Sequence, residues 1–111
     1  MQKLPNEDQL AELAERARYR AKAMAELLGV SARHFRRLLR GCVAVSPRQF
    51  LVRLRVTRAR RLVLAGLGGK RLAETLGFSN KTHFSRFFKA RTGMTVGRYV
   101  AVTRGIPGRH G

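Results

Sequence analysis

MAELLGVS at residues 24–31 and LAETLGFS at residues 72–79 are two copies of one pattern. At an offset of 48, Ala25 matches Ala73, Glu26 matches Glu74, Gly29 matches Gly77 and Ser31 matches Ser79. Beyond the serine the offset becomes 49, and Phe35/Phe84, Arg37/Arg86, Leu39/Phe88 and Arg40/Lys89 coincide. The second copy therefore carries one extra residue just after its turn. A short helix of small and apolar residues stops at Gly29 or Gly77, because glycine tolerates the left-handed conformation that ends a helix sharply. Val30 or Phe78 then tucks an apolar side chain under the turn. Ser31 and Ser79 are natural N-caps for the next helix, with Asn80 an alternative cap in the second copy. Helix, tight glycine turn and capped helix together make a helix-turn-helix unit, and the chain holds two.

The second helix of each unit has a split face. In the first, Phe35, Leu38, Leu39 and Cys42 form an apolar stripe, while Arg33, Arg36, Arg37 and Arg40 recur at i, i+3, i+4, i+7 on the other side. In the second, Phe84, Phe87 and Phe88 are apolar, and Thr82, Ser85, Arg86 and Lys89 hold the corresponding polar positions. A row of base-capable side chains opposite a core stripe is what a helix inserted in a DNA groove requires. An ordinary solvated face is the competing reading. Four arginines with no interleaved acid weaken it for the first unit, whereas the threonine and serine of the second leave it competitive.

Between the units, Ser46-Pro47-Arg48-Gln49 opens a helix with a cap, a first-turn proline and a glutamine able to close a capping box. Val52, Val56, Ala59 and Val63, flanked by Leu51 and Leu62, predict one apolar face, with Arg53, Arg58, Arg60 and Arg61 on the other. Gly66-Leu67-Gly68-Gly69 breaks it. A helix from Ser46 to Ala65 would be roughly 30 Å long, close to the ~34 Å of one DNA turn. Residues 7–18 read as an N-terminal helix. A short helical stretch through Tyr99 and Val100 follows Gly93, and residues 103–111 read as a mobile basic tail. The expected organisation is a first helix-turn-helix subdomain over 8–45, a linker helix over 46–65, a second subdomain over 66–102 and the tail over 103–111.

The 111 residues carry 24 Lys and Arg against 6 Asp and Glu, a net charge of +18. Four of the acids, Glu7, Asp8, Glu12 and Glu15, lie in the first 15 residues, and only Glu26 and Glu74 follow them. Such a field implies a polyanionic partner. A merely solvated basic surface does not explain where the acids are missing. Arginine outnumbers lysine 19 to 5, and its planar fork suits phosphates and guanine edges. The first 15 residues show no apolar run of a signal peptide, and no stretch approaches the ~20 apolar residues of a membrane span. The single Cys42 excludes an intramolecular disulfide and is too little for a zinc site, which fits a reducing cytoplasm.

His34 and His83 are equivalent positions. Without an accompanying acid or cysteine they read as phosphate contacts or packing beside Phe35 and Phe84, not as metal ligands. Glu26 and Glu74 are expected to form ion pairs with Arg37 and Arg86. Cys42 extends the apolar stripe. The glycines at 66–69 lack the preceding strand and following Lys-Ser/Thr of a phosphate loop. No nucleophile–base or metal constellation points to an enzyme, and no cofactor is expected. Two function classes remain: a sequence-specific DNA-binding regulator, favoured by the repeated polar faces, and a non-specific basic nucleic-acid-binding protein.

GFSNKTHFSRFFKARTG at residues 77–93, with Tyr99 six residues on, resembles the signature of the AraC/XylS family of transcription regulators. GVSARHFRRLLR at residues 29–40, Ser46-Pro47 and RVTRARRL at residues 55–62 are similar to that family's first unit and linker helix, so the likeness covers about residues 8–100. It extends to stand-alone members of the MarA and SoxS type and equally to the C-terminal part of larger regulators. The resemblance implies an all-α, homeodomain-like fold of about seven helices, with two helix-turn-helix subdomains on a long linker helix. It implies a cytoplasmic, nucleoid-associated bacterial regulator that binds double-stranded DNA, engages RNA polymerase, and sits on DNA as a monomer unless part of a larger dimeric protein. Base contacts would come from Arg33, Arg36, Arg37, Lys81, Thr82, Ser85 and Arg86. Phosphate contacts would come from Ser31, His34, Arg40, Ser79, Asn80, His83 and Lys89. Three departures are visible. Val96 replaces a usual proline, which loosens the start of the last helix, and Ala44 replaces a common glycine. The Gly66–Gly69 loop is about one residue short, with Gly69 where a buried Ile or Leu is usual. Leu67 is the residue placed to fill that gap, and a poorly anchored first helix in the second unit is expected.

Overall fold

The computed structural model describes residues 6–42 and 46–104, except the Cys42 side chain. The tail beyond Arg104, Ala44 and the packing of Cys42 therefore lie outside the described residues. Within them the chain is all α-helical and forms seven helices with no strand. In order these are α1 (Glu7–Arg16), α2 (Ala21–Leu28), α3 (Ala32–Cys42), α4 (Pro47–Leu64), α5 (Gly69–Leu76), α6 (Lys81–Thr92) and α7 (Val96–Thr103). Two compact units divide within α4, between Arg58 and Ala59.

In the first unit α1 starts on a complete capping box. Asn6 Oδ1 accepts from the Gln9 amide at 2.8 Å, and Gln9 Oε1 accepts from the Asn6 amide at 2.9 Å. Glu7 and Asp8 in the first turn and Arg16 in the last complement the helix dipole. The helix stops two residues earlier than residues 7–18 imply. Arg18 and Tyr19 both adopt left-handed backbone, at φ 54° and 60°, and non-glycine residues pay about 1 kcal/mol or more for that. The strain is offset locally, because the Tyr19 amide donates to Ala14 O at 2.7 Å and the Tyr19 ring is buried.

α2 and α3 form the first helix-turn-helix. Gly29 sits at φ 74°, its amide bonded to Glu26 O, and the Val30 amide bonds Ala25 O, so the turn closes as a Schellman motif. Ser31 Oγ then accepts from the His34 amide at 3.0 Å and caps α3 as expected. Met24, Ala25, Phe35 and Leu39 are buried. On α4 the Ser46–Gln49 capping box is present, with both amide bonds at 3.2 Å.

The second unit repeats the turn. Gly77 lies at φ 80°, its amide bonded to Glu74 O, and Phe78 donates to Ala73 O at 2.8 Å. Here the cap is Asn80, whose Oδ1 accepts from the His83 amide at 3.0 Å. Ser79 is not the cap: the extra residue moves the capping position one step on. Phe84 and Phe88 are buried in a chain of ring contacts from Phe78 through Phe84 and Phe88 to Tyr99, with centroids 5.2 to 5.7 Å apart. Such contacts contribute beyond simple burial. Despite its glycine-rich start, α5 buries Leu72, Ala73 and Leu76, so the expected weak anchoring is not what the packing shows. Leu67 is half-buried, and Lys81 carbon atoms lie 3.5 Å from where a Gly69 side chain would begin. Val96 begins α7 without a proline because Thr95 Oγ1 caps it, accepting from the Arg98 amide.

The long helix departs from its expected single stripe. Its buried residues are Pro47, Phe50, Leu51 and Leu54 in the first unit and Ala59, Leu62 and Val63 in the second, while Val52 and Val56 are only half-buried. Each half buries the residues its own unit needs, so no single period fits the whole helix.

Candidate nucleic-acid interface

On α3, Arg33, Arg36, Arg37 and Arg40 are all exposed, opposite the fully buried Phe35 and Leu39. None of these guanidinium groups has an ion-pair or hydrogen-bond partner among the described residues. The expected pairing of Glu26 with Arg37, and of Glu74 with Arg86, does not occur. Both glutamates are exposed, where hydration competes effectively with an ion pair. His34 is half-buried beside this face, and Ser31 is occupied by its capping bond.

On α6, Lys81, Thr82, Ser85, Arg86 and Lys89 are exposed, opposite Phe84 and Phe88. Ser79 Oγ and His83 Nδ1 lie 2.6 Å apart, a short hydrogen bond that ties the turn to the first turn of α6. The structure thus brings Ser79, Asn80 and His83 together at one helix start. An open groove runs beside them, lined by Lys70, Glu74, Phe78, Asn80 and Lys81 among others.

The arginines of α4 behave differently from those of α3. Arg58 Nε donates to Glu15 Oε1 at 2.7 Å, and Arg53 lies 3.9 Å from Glu7 and 5.4 Å from the centre of the Phe50 ring. Arg55 lies over the Tyr19 ring at 5.3 Å. Arg58 was expected on a solvent face, but a carboxylate from α1 draws it down beside the core. Sequence patterning missed this cluster because its members are far apart in the chain, Glu15 and Arg58 by 43 positions. Burial, then the nearby Glu15 carboxylate, pushes the Tyr19 hydroxyl up to about 12. Burial also lowers Arg55 from the usual arginine range. Arg60 and Arg61 remain exposed.

No group of three or more His, Cys, Asp or Glu able to hold a metal ion occurs among the described residues. None of the described helices is long and apolar enough to cross a membrane.

Residues 24–101 match the helix-turn-helix domain family to which AraC-type regulators belong. The chain belongs to the AraC-type helix-turn-helix family. Three solved structures share its fold. A DNA-binding transcriptional dual regulator from Escherichia coli K-12 is 23% identical, with a TM-score of 0.67 over 86% of this chain and 89% of that one. An AraC-type regulator from Chromobacterium violaceum is 24% identical, with a TM-score of 0.65 over 85% and 88%. The C-terminal domain of AraT, a response regulator from Geobacillus stearothermophilus, is 21% identical, with a TM-score of 0.68 over 92% and 88%. No curated protein matches the sequence significantly. The AraC-type match takes in both glycine turns and both polar faces, and leaves α1 and its acids outside.

Proposed function

We propose that the chain is a sequence-specific double-stranded DNA-binding transcription regulator that lays α3 and α6 into successive major-groove segments. Membership of the AraC-type family supports the coarse reading. The observation that carries it further is that each repeated unit exposes a cationic or hydroxyl-bearing face directly opposite its buried phenylalanines. That division places base-capable groups on the one side of each helix that the core does not occupy.

In this reading Arg33, Arg36 and Arg37 of the first unit, and Lys81, Thr82, Ser85 and Arg86 of the second, contact base edges. Arg40, Lys89, His34 and His83 hold phosphates, together with the helix starts at Ser31, Ser79 and Asn80. The first unit, with three forked donors on its crest, supplies most of the sequence discrimination. The second adds affinity and register.

Competition binding at fixed salt tests the proposal. A site selected from a random duplex pool should bind more than ~10-fold tighter than bulk DNA; a smaller ratio leaves a non-specific basic nucleic-acid binder. Arg36→Ala should cost about 1–3 kcal/mol on the selected site and relax its base choice. Arg60→Ala should weaken all sequences alike and reduce the salt slope by about 1.

A further inference from the structure

We infer that the DNA segment facing α3 is guanine-rich, with two or more guanines on either strand within about four base pairs, and that the segment facing α6 is not. This rests on the reading of α3 and α6 as base-reading helices and specifies what each reads.

The α3 face holds four arginines and no lysine at i, i+3, i+4 and i+7. Each such pair of like charges is unfavourable in an isolated helix, and the fold supplies no counter-charge: Glu26, on the preceding helix, is exposed and paired with none of them. Three arginines of α4 in the same unit are matched. Arg53 and Arg58 have carboxylates, and Arg55 has an aromatic ring. The α3 set, gathered on one helix face with no counter-charge among the described residues, asks for an external acceptor.

The type of acceptor follows from geometry. A guanidinium fork pairs in two-point fashion with N7 and O6 of guanine, the base edge that offers two acceptors side by side. Phosphates also accept arginine, but they line the walls of the groove, whereas Arg33, Arg36 and Arg37 lie on the crest opposite the core. From Arg33 to Arg37 a helix rises about 6 Å, slightly under two base-pair steps of ~3.4 Å. Three forks over that span address about three or four consecutive pairs. The α6 face differs. Thr82 and Ser85 hydroxyls donate or accept and discriminate weakly, and Arg86 is the one fork among its four base-facing side chains.

The test begins with the full chain selected against a random duplex pool. The two ends of the recovered motif are assigned by repeating the selection with Arg36→Lys/Arg37→Lys and with Thr82→Ala/Ser85→Ala. Lysine keeps the charge but not the fork, and all four positions are exposed, so folding is checked by helical circular dichroism. Guanines should occupy the end blurred by the lysine variant. Replacing each by 7-deazaguanine, which lacks the N7 acceptor, should weaken wild-type binding on the order of tenfold per contacted base. The lysine variant should lose that sensitivity at the guanines that Arg36 and Arg37 contact, while Arg33 keeps its own. A recovered motif without guanines at that end, or one indifferent to 7-deazaguanine, overturns the inference and leaves the regulator reading standing. Recovery of no motif at all overturns the regulator reading, and this inference with it.

Discussion

The two helix-turn-helix units share a turn and differ in almost everything the turn supports. Gly29 and Gly77 sit within a few degrees of one another in φ, at 74° and 80°, and each turn closes with the same two backbone hydrogen bonds. The first unit caps its second helix with Ser31, the second with Asn80 plus a Ser79–His83 bridge. Phe35, Leu39 and Met24 are all fully buried, whereas Phe84 belongs to a series of rings ending at Tyr99. The outward faces diverge most: arginine on α3, hydroxyls and mixed cations on α6. A left-handed glycine and a two-bond closure are therefore enough to specify the supersecondary unit, and they leave cap, core and face free to vary.

The largest expected effect tests the cores. Phe35→Ala and Phe84→Ala should each destabilise by about 3–5 kcal/mol. The Phe84 loss should be greater by about 1 kcal/mol, since two ring contacts go with it. Equal denaturant midpoints for the two variants would show that the ring series adds nothing beyond burial. Next comes a pH effect confined to the first unit. Tyr19 keeps its proton to about 12 when folded but loses it near 10 when unfolded. Stability from this group is thus complete below pH 10 and is lost as pH rises from 10 to 12. Wild type should lose about 2 kcal/mol more than Tyr19→Phe across that window; parallel melting curves would contradict it.

The turns come third. Gly29→Ala and Gly77→Ala should each cost about 1 kcal/mol, and equally, because the penalty is the left-handed backbone itself. Gly68→Ala, at φ −73° with open space around it, should cost nothing measurable by thermal melting. The last effect is a gain, on α5. Gly69→Ala should stabilise by about 0.5 kcal/mol, since helix propensity improves and the new methyl meets Lys81 at ordinary contact distance. A loss on this substitution would mean that the close approach of α5 and α6 needs the glycine.

What was legible in the sequence was local. The 48-residue repeat located both turns, the Ser46–Gln49 box located the start of α4, and apolar spacing identified Phe35, Leu39, Phe84 and Phe88 as core. Two kinds of feature were hidden. One is backbone geometry without its usual residue: the left-handed pair Arg18 and Tyr19 ends α1 where no glycine marks it. The other is long-range partnership. A helix serving two units has no single apolar period, so Val52 and Val56 looked more buried than they are. Arg58 looked solvent-facing because nothing near it in sequence announces Glu15. The same cause misplaced Glu26 and Glu74: repeated next to arginines in the pattern, they stay hydrated in space. The candidate interface itself, the exposed side of α3 and α6, follows from the 3.6-residue period alone.

The ion pairs that tie α1 to α4 also bear on how fast the molecule finds its partner. Four of the six acids lie on one helix, and two of them, Glu7 and Glu15, are held against arginines. Those contacts cancel part of the positive charge on one segment and leave the α3 cations uncancelled. Within the first unit that separation of acids on α1 from cations on α3 is an electric dipole, and a dipole in the field of a polyanion experiences torque before it experiences contact. Productive encounters should then begin from pre-turned approaches, with an association rate that is expected to fall steeply with added salt. Removing the acids of α1 would add attraction while taking away part of the aim.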